Sequence, residues 1–197
     1  MQFKAFEPNI EVNGPTVYSV VAGLGYFTNL SRRFYSQVGI GKVINKELHI
    51  DLDGWYSQDS WLAAFENIAK TVGDRVLFNI GLSVPANAQF PPWVVDVHSG
   101  VKSIDIAYHL NHRKNGSPLF NPENGEMSEG IGHYGYEGFP GENKIISRCH
   151  NPFPCAFDHG IITAMAKKFA PNALVKHDNT KECRNKAADS CTYIITW

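Results

Sequence analysis

The chain has no stretch of about 18 apolar residues, the length a helix needs to cross a membrane. It has no run of lysine and arginine longer than two. Its 18 basic and 19 acidic residues leave a net charge of -1, whereas a protein that tracks a nucleic-acid backbone carries a basic stripe. Gly-x-Ser-x-Gly, His-Glu-x-x-His and phosphate-cradling glycine loops are missing, and with them the common hydrolase, metalloprotease and nucleotide-binding signatures. There is no Cys-x-x-Cys-His for covalent haem attachment. The opening, Met1-Gln-Phe-Lys-Ala-Phe-Glu-Pro8, lacks the apolar run of an export signal. The expectation is therefore a cytoplasmic protein, in a compartment where disulfides are uncommon. Charge is also scarce: 19% of residues are charged and 43% hydrophobic, as in a folded domain rather than a disordered chain. Repeats, low-complexity tracts and linkers are absent over the 197 residues, so residues 1–197 are read as one domain.

What is present falls into mixed elements. Residues 15–22 read as a first strand, and 26–38 as a helical face carrying Tyr26, Phe27, Leu30, Phe34, Tyr35 and Val38. Residues 42–51 alternate as one half-buried strand. After the Asp53-Gly54 turn, Ser57 or Asp59 caps a helix whose stripe is Trp61, Leu62, Phe65, Ile68, Ala69 and Val72, closed by Gly73. Residues 75–80 are too short to assign. Trp93, Val97, Val101, Ile104 and Tyr108 predict a long helix through about His112. Residues 113–141, with seven glycines, read as turns and hairpins, including a tight turn at Asn124-Gly125. A strand over 142–149 follows, then a helix capped by Asp158, then two last strands at 173–177 and 192–197. Strands not regularly separated by helices favour an α+β fold with a largely antiparallel sheet packed against helices.

All four cysteines fall in the last 49 positions, as Cys149-x5-Cys155 and Cys183-x7-Cys191, with His177, Asp178 and Glu182 just before the second pair. Metal binding, free buried thiols and two disulfides all remain open on this spacing. Zinc takes four ligands, mostly thiolate and imidazole, in a tetrahedron. Cys149, Cys155, His177, Asp178, Cys183 and Cys191 are the candidates for a closed, structural site.

Cys155, the helix after it, the acidic residues and Cys183-x7-Cys191 with its aromatic strand resemble the 4-vinyl-reductase-type small-molecule-binding domains. That superfamily includes haem nitric-oxide-binding domains, a Golgi-tethering family and the sensor domains of phenol- and toluene-responsive regulators. The resemblance implies a fold of the NO-signalling and Golgi-transport type. It also implies a structural zinc on Cys155, Cys183 and Cys191. At the position of the family's acidic ligand this chain has Thr180, so Asp178, Glu182 or His177 would take its place, and Cys149 is extra to the pattern.

The implied function is a non-enzymatic sensor that holds a small hydrophobic or aromatic ligand. Candidates for its pocket are Trp61, Phe65, Trp93, Tyr108, His109 and His133. As relatives often dimerise, a homodimer and an unidentified output partner in signalling are expected too. Two alternatives stand. One is a haem-based gas sensor with His109, His112 or His133 as axial ligand, although the Tyr-x-Ser-x-Arg signature of the haem-binding relatives is missing. The other is an enzyme with a metal or acid–base cluster built from Asp105, His109, His112 and His133.

Overall fold

The computed structural model describes residues 2–88 and 90–197, apart from the side chains of Tyr26 and Asn87. Tyr26, expected on a helical face, thus lies outside the described side chains. Strand β1 (Ile10–Asn13) runs directly into helix α1 (Gly14–Gly23). The expected strand over 15–22 is this helix. Asn13 caps it, its side chain accepting from the Thr16 N–H at 3.1 Å, and Pro15 sits in the first turn, where its missing N–H costs nothing. These start signals outweigh the β-branched residues that follow. After a 3₁₀ turn at Gly25–Phe27, α2 covers Thr28–Gln37.

The single strand expected over 42–51 is a hairpin, β2 (Lys42–Ile44) paired with β3 (Glu47–His49). It turns at Asn45 and Lys46, both at positive φ (50° and 67°), as a tight two-residue hairpin turn requires. Strand β4 (Trp55–Ser57) leads into α3 (Gln58–Val72), whose cap is the Ser57 hydroxyl. Gly73 ends α3 at φ 74°. The unassigned stretch after it is α4 (Asp74–Ser83).

Helix α5 spans Val97–Leu110. Asp96 and Ser99 bond reciprocally at its start, so Trp93 lies before the helix, half-exposed, instead of on its apolar stripe. Short strands β5 (His112–Lys114), β6 (Ser117–Pro118), β7 (His133–Tyr134) and β8 (Glu137–Gly138) precede β9 (Lys144–His150). Helix α6 covers Cys155–Phe169, and β10 (Leu174–His177) and β11 (Cys191–Thr196) end the chain. Asp158 does not cap α6. Pro154 holds that position, and Asp158 is fully buried one turn inside.

One sheet runs β4-β1-β5-β6 and the other β10-β11-β9-β7, with β8 also on β9; all pairs are antiparallel. The architecture is α+β, with antiparallel sheets against helices. The tightest helix crossing is α4 on α6, where glycine meets glycine. A Cβ on Gly81 would lie 2.1 Å from the Phe157 carbonyl, and one on Gly160 would lie 2.2 Å from that of Phe78. That close approach seats α6 deep in the molecule, with one face on an apolar cavity and its first residue, Cys155, among the cysteines.

Candidate ligand pocket and thiol cluster

An apolar cavity of 130 Å³ sits among α1, α3, α5 and α6. Val20, Trp61, Ile104, Tyr108, Phe153, Phe157, Ile161 and Met165 supply most of its wall, with His112 and Tyr134 beside them. Aromatic packing fixes this wall. Trp61 is sandwiched by Tyr35 and Phe65, with ring centroids at 5.6 and 5.8 Å. Phe65 meets Phe153 and Phe157 edge-on.

Two polar atoms of the lining residues are orphans, buried without a hydrogen-bond partner: Trp61 Nε1 and His112 Nε2. Their chemistry is complementary. The indole N–H can only donate. His112 Nδ1 bonds the Tyr108 carbonyl at 2.7 Å, so Nδ1 carries the proton and Nε2 presents a bare lone pair. Burial drives the His112 pKa down to about 4, which keeps the ring neutral and Nε2 an acceptor. Leaving such groups unpaired costs about 1–3 kcal/mol each. One hydroxyl that donates to His112 and accepts from Trp61 would satisfy both.

At the start of α6, Cys155, His177, Cys183 and Cys191 converge, their ligand atoms all within 4.8 Å of one another. The cysteines are free thiols, with sulfurs 2.9 Å apart for Cys155–Cys191, 3.6 Å for Cys155–Cys183 and 3.7 Å for Cys183–Cys191. His177 adds a buried Nε2 without a partner. The hydrogen bond between Cys155 and Cys191 pulls the Cys191 thiol down and pushes the Cys155 thiol up, and the Arg184 main-chain N–H adds to the fall at Cys191. Three sulfurs and an unused imidazole nitrogen fit a tetrahedral zinc site.

A buried polar network joins the two regions. Asp158 accepts from Tyr134 Oη at 2.6 Å and from Asn151 Nδ2 at 3.1 Å, and it pairs with Arg184. Arg184 also donates to the Asn151 carbonyl at 2.6 Å, and its main-chain N–H reaches Cys191 Sγ at 3.3 Å. Burial pushes the Asp158 carboxyl up, and the Arg184 guanidinium opposes that.

No protein-family model and no curated protein matches the chain. Solved structures do. An H-NOX protein from S. oneidensis in the Fe(II)NO ligation state is 17% identical, covers 92% of this chain and 97% of its own, and gives a TM-score of 0.57. The Fe(II) unliganded H-NOX protein from K. algicida is 13% identical over 93% and 95%, again at 0.57. A structure concerned with modulating haem redox potential through porphyrin distortion aligns at 0.58 and 13% identity. The chain has the H-NOX fold.

As it stands in this structure, the cavity is too small for a haem. Even drug-sized ligands take roughly 300 Å³ or more, against 130 Å³ here. The lining offers no lysine or arginine for propionates. Of the three histidines considered as axial ligands, His112 alone lines the cavity. His133 bonds Asp105 Oδ2 at 2.9 Å and Glu129 Oε2 at 3.1 Å, and His109 bonds the Asp105 carbonyl at 2.9 Å.

Among the other expected ligand residues, Trp61 and Tyr108 line the cavity, whereas Phe65 packs behind Trp61. Trp93 is turned to solvent at 46% exposure. Among the expected metal ligands, Cys149 and Asp178 stay out of the convergent set. Cys149 is fully buried on β9, near Ser147 Oγ at 3.8 Å, and burial drives its thiol up. Asp178 instead binds the Thr180 N–H and hydroxyl in its own turn, and Glu182 binds Arg148 and Ser190. His112 was expected only as a haem or metal ligand and Asp158 only as a helix cap, while Tyr134, Asn151 and Arg184 escaped the sequence reading altogether. The one signal was an aspartate inside an otherwise apolar helix run, which demands a buried partner.

Proposed function

We propose that this chain is a small-molecule sensor domain. Its ligand is a single-ring aromatic carrying a hydroxyl, of the phenol class, held in the cavity among α1, α3, α5 and α6. One observation carries this reading: an apolar cavity of 130 Å³ with Trp61 Nε1 and His112 Nε2 both unpartnered. An apolar cavity of about 150 Å³ accepts benzene, so one ring fits and two do not. The ring would pack on Phe157 and Ile161 while its hydroxyl bridges the donor and the acceptor. Calorimetric titration with phenol and toluene tests it. We expect phenol to bind roughly five- to 150-fold tighter, from about 1–3 kcal/mol recovered at the orphaned groups. Trp61→Phe and His112→Phe should each erase most of that preference. Equal affinity for the two ligands, or none for either, would reject the reading.

Cys155, His177, Cys183 and Cys191 would hold a structural zinc that fastens α6 to β10 and β11. Its chemistry there is Lewis-acid binding of thiolate, with no position left for a substrate. Strong chelators should release zinc and lower the melting temperature; a metal-free protein of unchanged stability would remove this part.

A haem-based gas sensor is the second reading, favoured by the likeness to H-NOX proteins in Fe(II) and Fe(II)NO states. His112 would be the axial ligand. A Soret band after reconstitution, lost in His112→Ala, would support it over the phenol-class reading.

A further inference from the structure

A second group of ligating side chains lies apart from the cavity wall and from the cysteines. Asp105, His109 and His133 bring one ligand atom each within 4.8 Å of one another. They come from two elements: Asp105 and His109 sit one turn apart on α5, and His133 opens β7. The His109 and His133 ring centroids are 4.8 Å apart, near the separation of two imidazoles on neighbouring positions of one ion with metal–nitrogen bonds of about 2.0–2.1 Å. His133 Nδ1 lies 2.9 Å from Asp105 Oδ2, and His109 Nδ1 lies 3.6 Å from Asp105 Oδ1. Glu129 lies on the opposite nitrogen of the same ring, 3.1 Å from His133 Nε2, where it holds the ring's orientation.

We propose that Asp105, His109 and His133 bind a divalent transition-metal cation, with Glu129 orienting the His133 ring from its other nitrogen. Two imidazoles and carboxylate oxygen suit zinc, cobalt, nickel, manganese or iron(II) better than calcium or magnesium, which prefer oxygen alone. The His109 side chain is fully buried, and because its Nδ1 bonds the Asp105 carbonyl at 2.9 Å, the unpartnered Nε2 is the nitrogen left to ligate, already desolvated. The His133 side chain is 36% exposed and that of Asp105 19%, which leaves the ion a route in and coordination positions for water. The site is thus open and exchangeable, unlike the buried thiol cluster. Asp105 also accepts the Tyr134 N–H at 2.8 Å, so the ion would tie α5 to the strand that carries a pocket residue.

The test is cobalt(II) loading of metal-stripped protein, counted by equilibrium dialysis and read by absorption. Cobalt on thiolates gives intense near-ultraviolet charge transfer; cobalt on nitrogen and oxygen gives weak visible bands alone. The wild-type protein should take two equivalents, one with the thiolate band and one without. His133→Ala and Glu129→Gln should weaken or abolish the second while the thiolate band stays whole, and Cys183→Ser should do the reverse. If no thiolate band develops but a weak-band equivalent binds and is lost in His133→Ala, the proposal holds and the thiol-cluster reading falls. A single equivalent carrying the full thiolate band, or two equivalents retained in His133→Ala, overturns it.

Discussion

His112 is where the chemistry of a single residue decides most. Its ring is neutral, buried and proton-bearing on Nδ1 because the Tyr108 carbonyl leaves no other arrangement. The pKa of about 4 against 6.5 in the unfolded chain sets a sign. The unfolded state binds more protons between these values, so this group's stabilisation is present above pH 6.5 and is lost as pH falls toward 4. About 3 kcal/mol is at stake over that window. His133 opposes the trend. Partial burial works against its charge, but the Asp105 and Glu129 carboxylates raise its pKa, so its contribution is present at low pH and fades as pH rises through the raised value. Urea unfolding from pH 7 to pH 4 should show a loss that His112→Phe flattens; an identical loss in that variant would mean that His112 is not the titrating group. The cysteines and His177 were visible in the sequence because rare ligating residues crowded one segment. The roles of His109, His112 and His133 were not separable there. Which way each ring faces depends on whether β7 folds onto α5, a contact between segments more than 20 residues apart.

Helix α6 is the element that organises the site. It lends Phe157, Ile161 and Met165 to the cavity, Asp158 to the buried network and Cys155 to the thiol cluster. The last strands, β9 and β11, and the last helix were legible because their apolar residues repeat clearly. Helix α4 was not: at ten residues it is too short to show a period, and its Gly81 looks like a breaker until the backbone of α6 is seen against it. Gly81→Ala and Gly160→Ala should therefore each destabilise the protein by several kcal/mol in thermal or urea unfolding, well beyond the usual effect of an added methyl. An effect within about 0.5 kcal/mol, ordinary for surface positions, would mean that the helices do not approach so closely. The Asp158–Arg184 pair is fully buried on both sides. Removing one partner should cost about 3–5 kcal/mol, whereas Asp158→Leu with Arg184→Met together should cost much less. Additive losses in that double-mutant cycle would show that the pair is not coupled.

At the scale of the whole molecule, the α+β class was legible from the irregular succession of strands and helices. The first helix was misread as a strand, and one strand proved a hairpin, because Asn13 and the Asn45-Lys46 turn act through caps and backbone conformation, not hydropathy. The fold is that of H-NOX proteins, and the Tyr35–Trp61–Phe65 stack backs the wall of its cavity. The most direct measurement is a crystal structure of the protein grown with phenol. The account predicts one ring in the cavity, its oxygen within hydrogen-bond distance of both Trp61 Nε1 and His112 Nε2. An empty cavity at saturating phenol, or a haem there with its iron on His112, would contradict it.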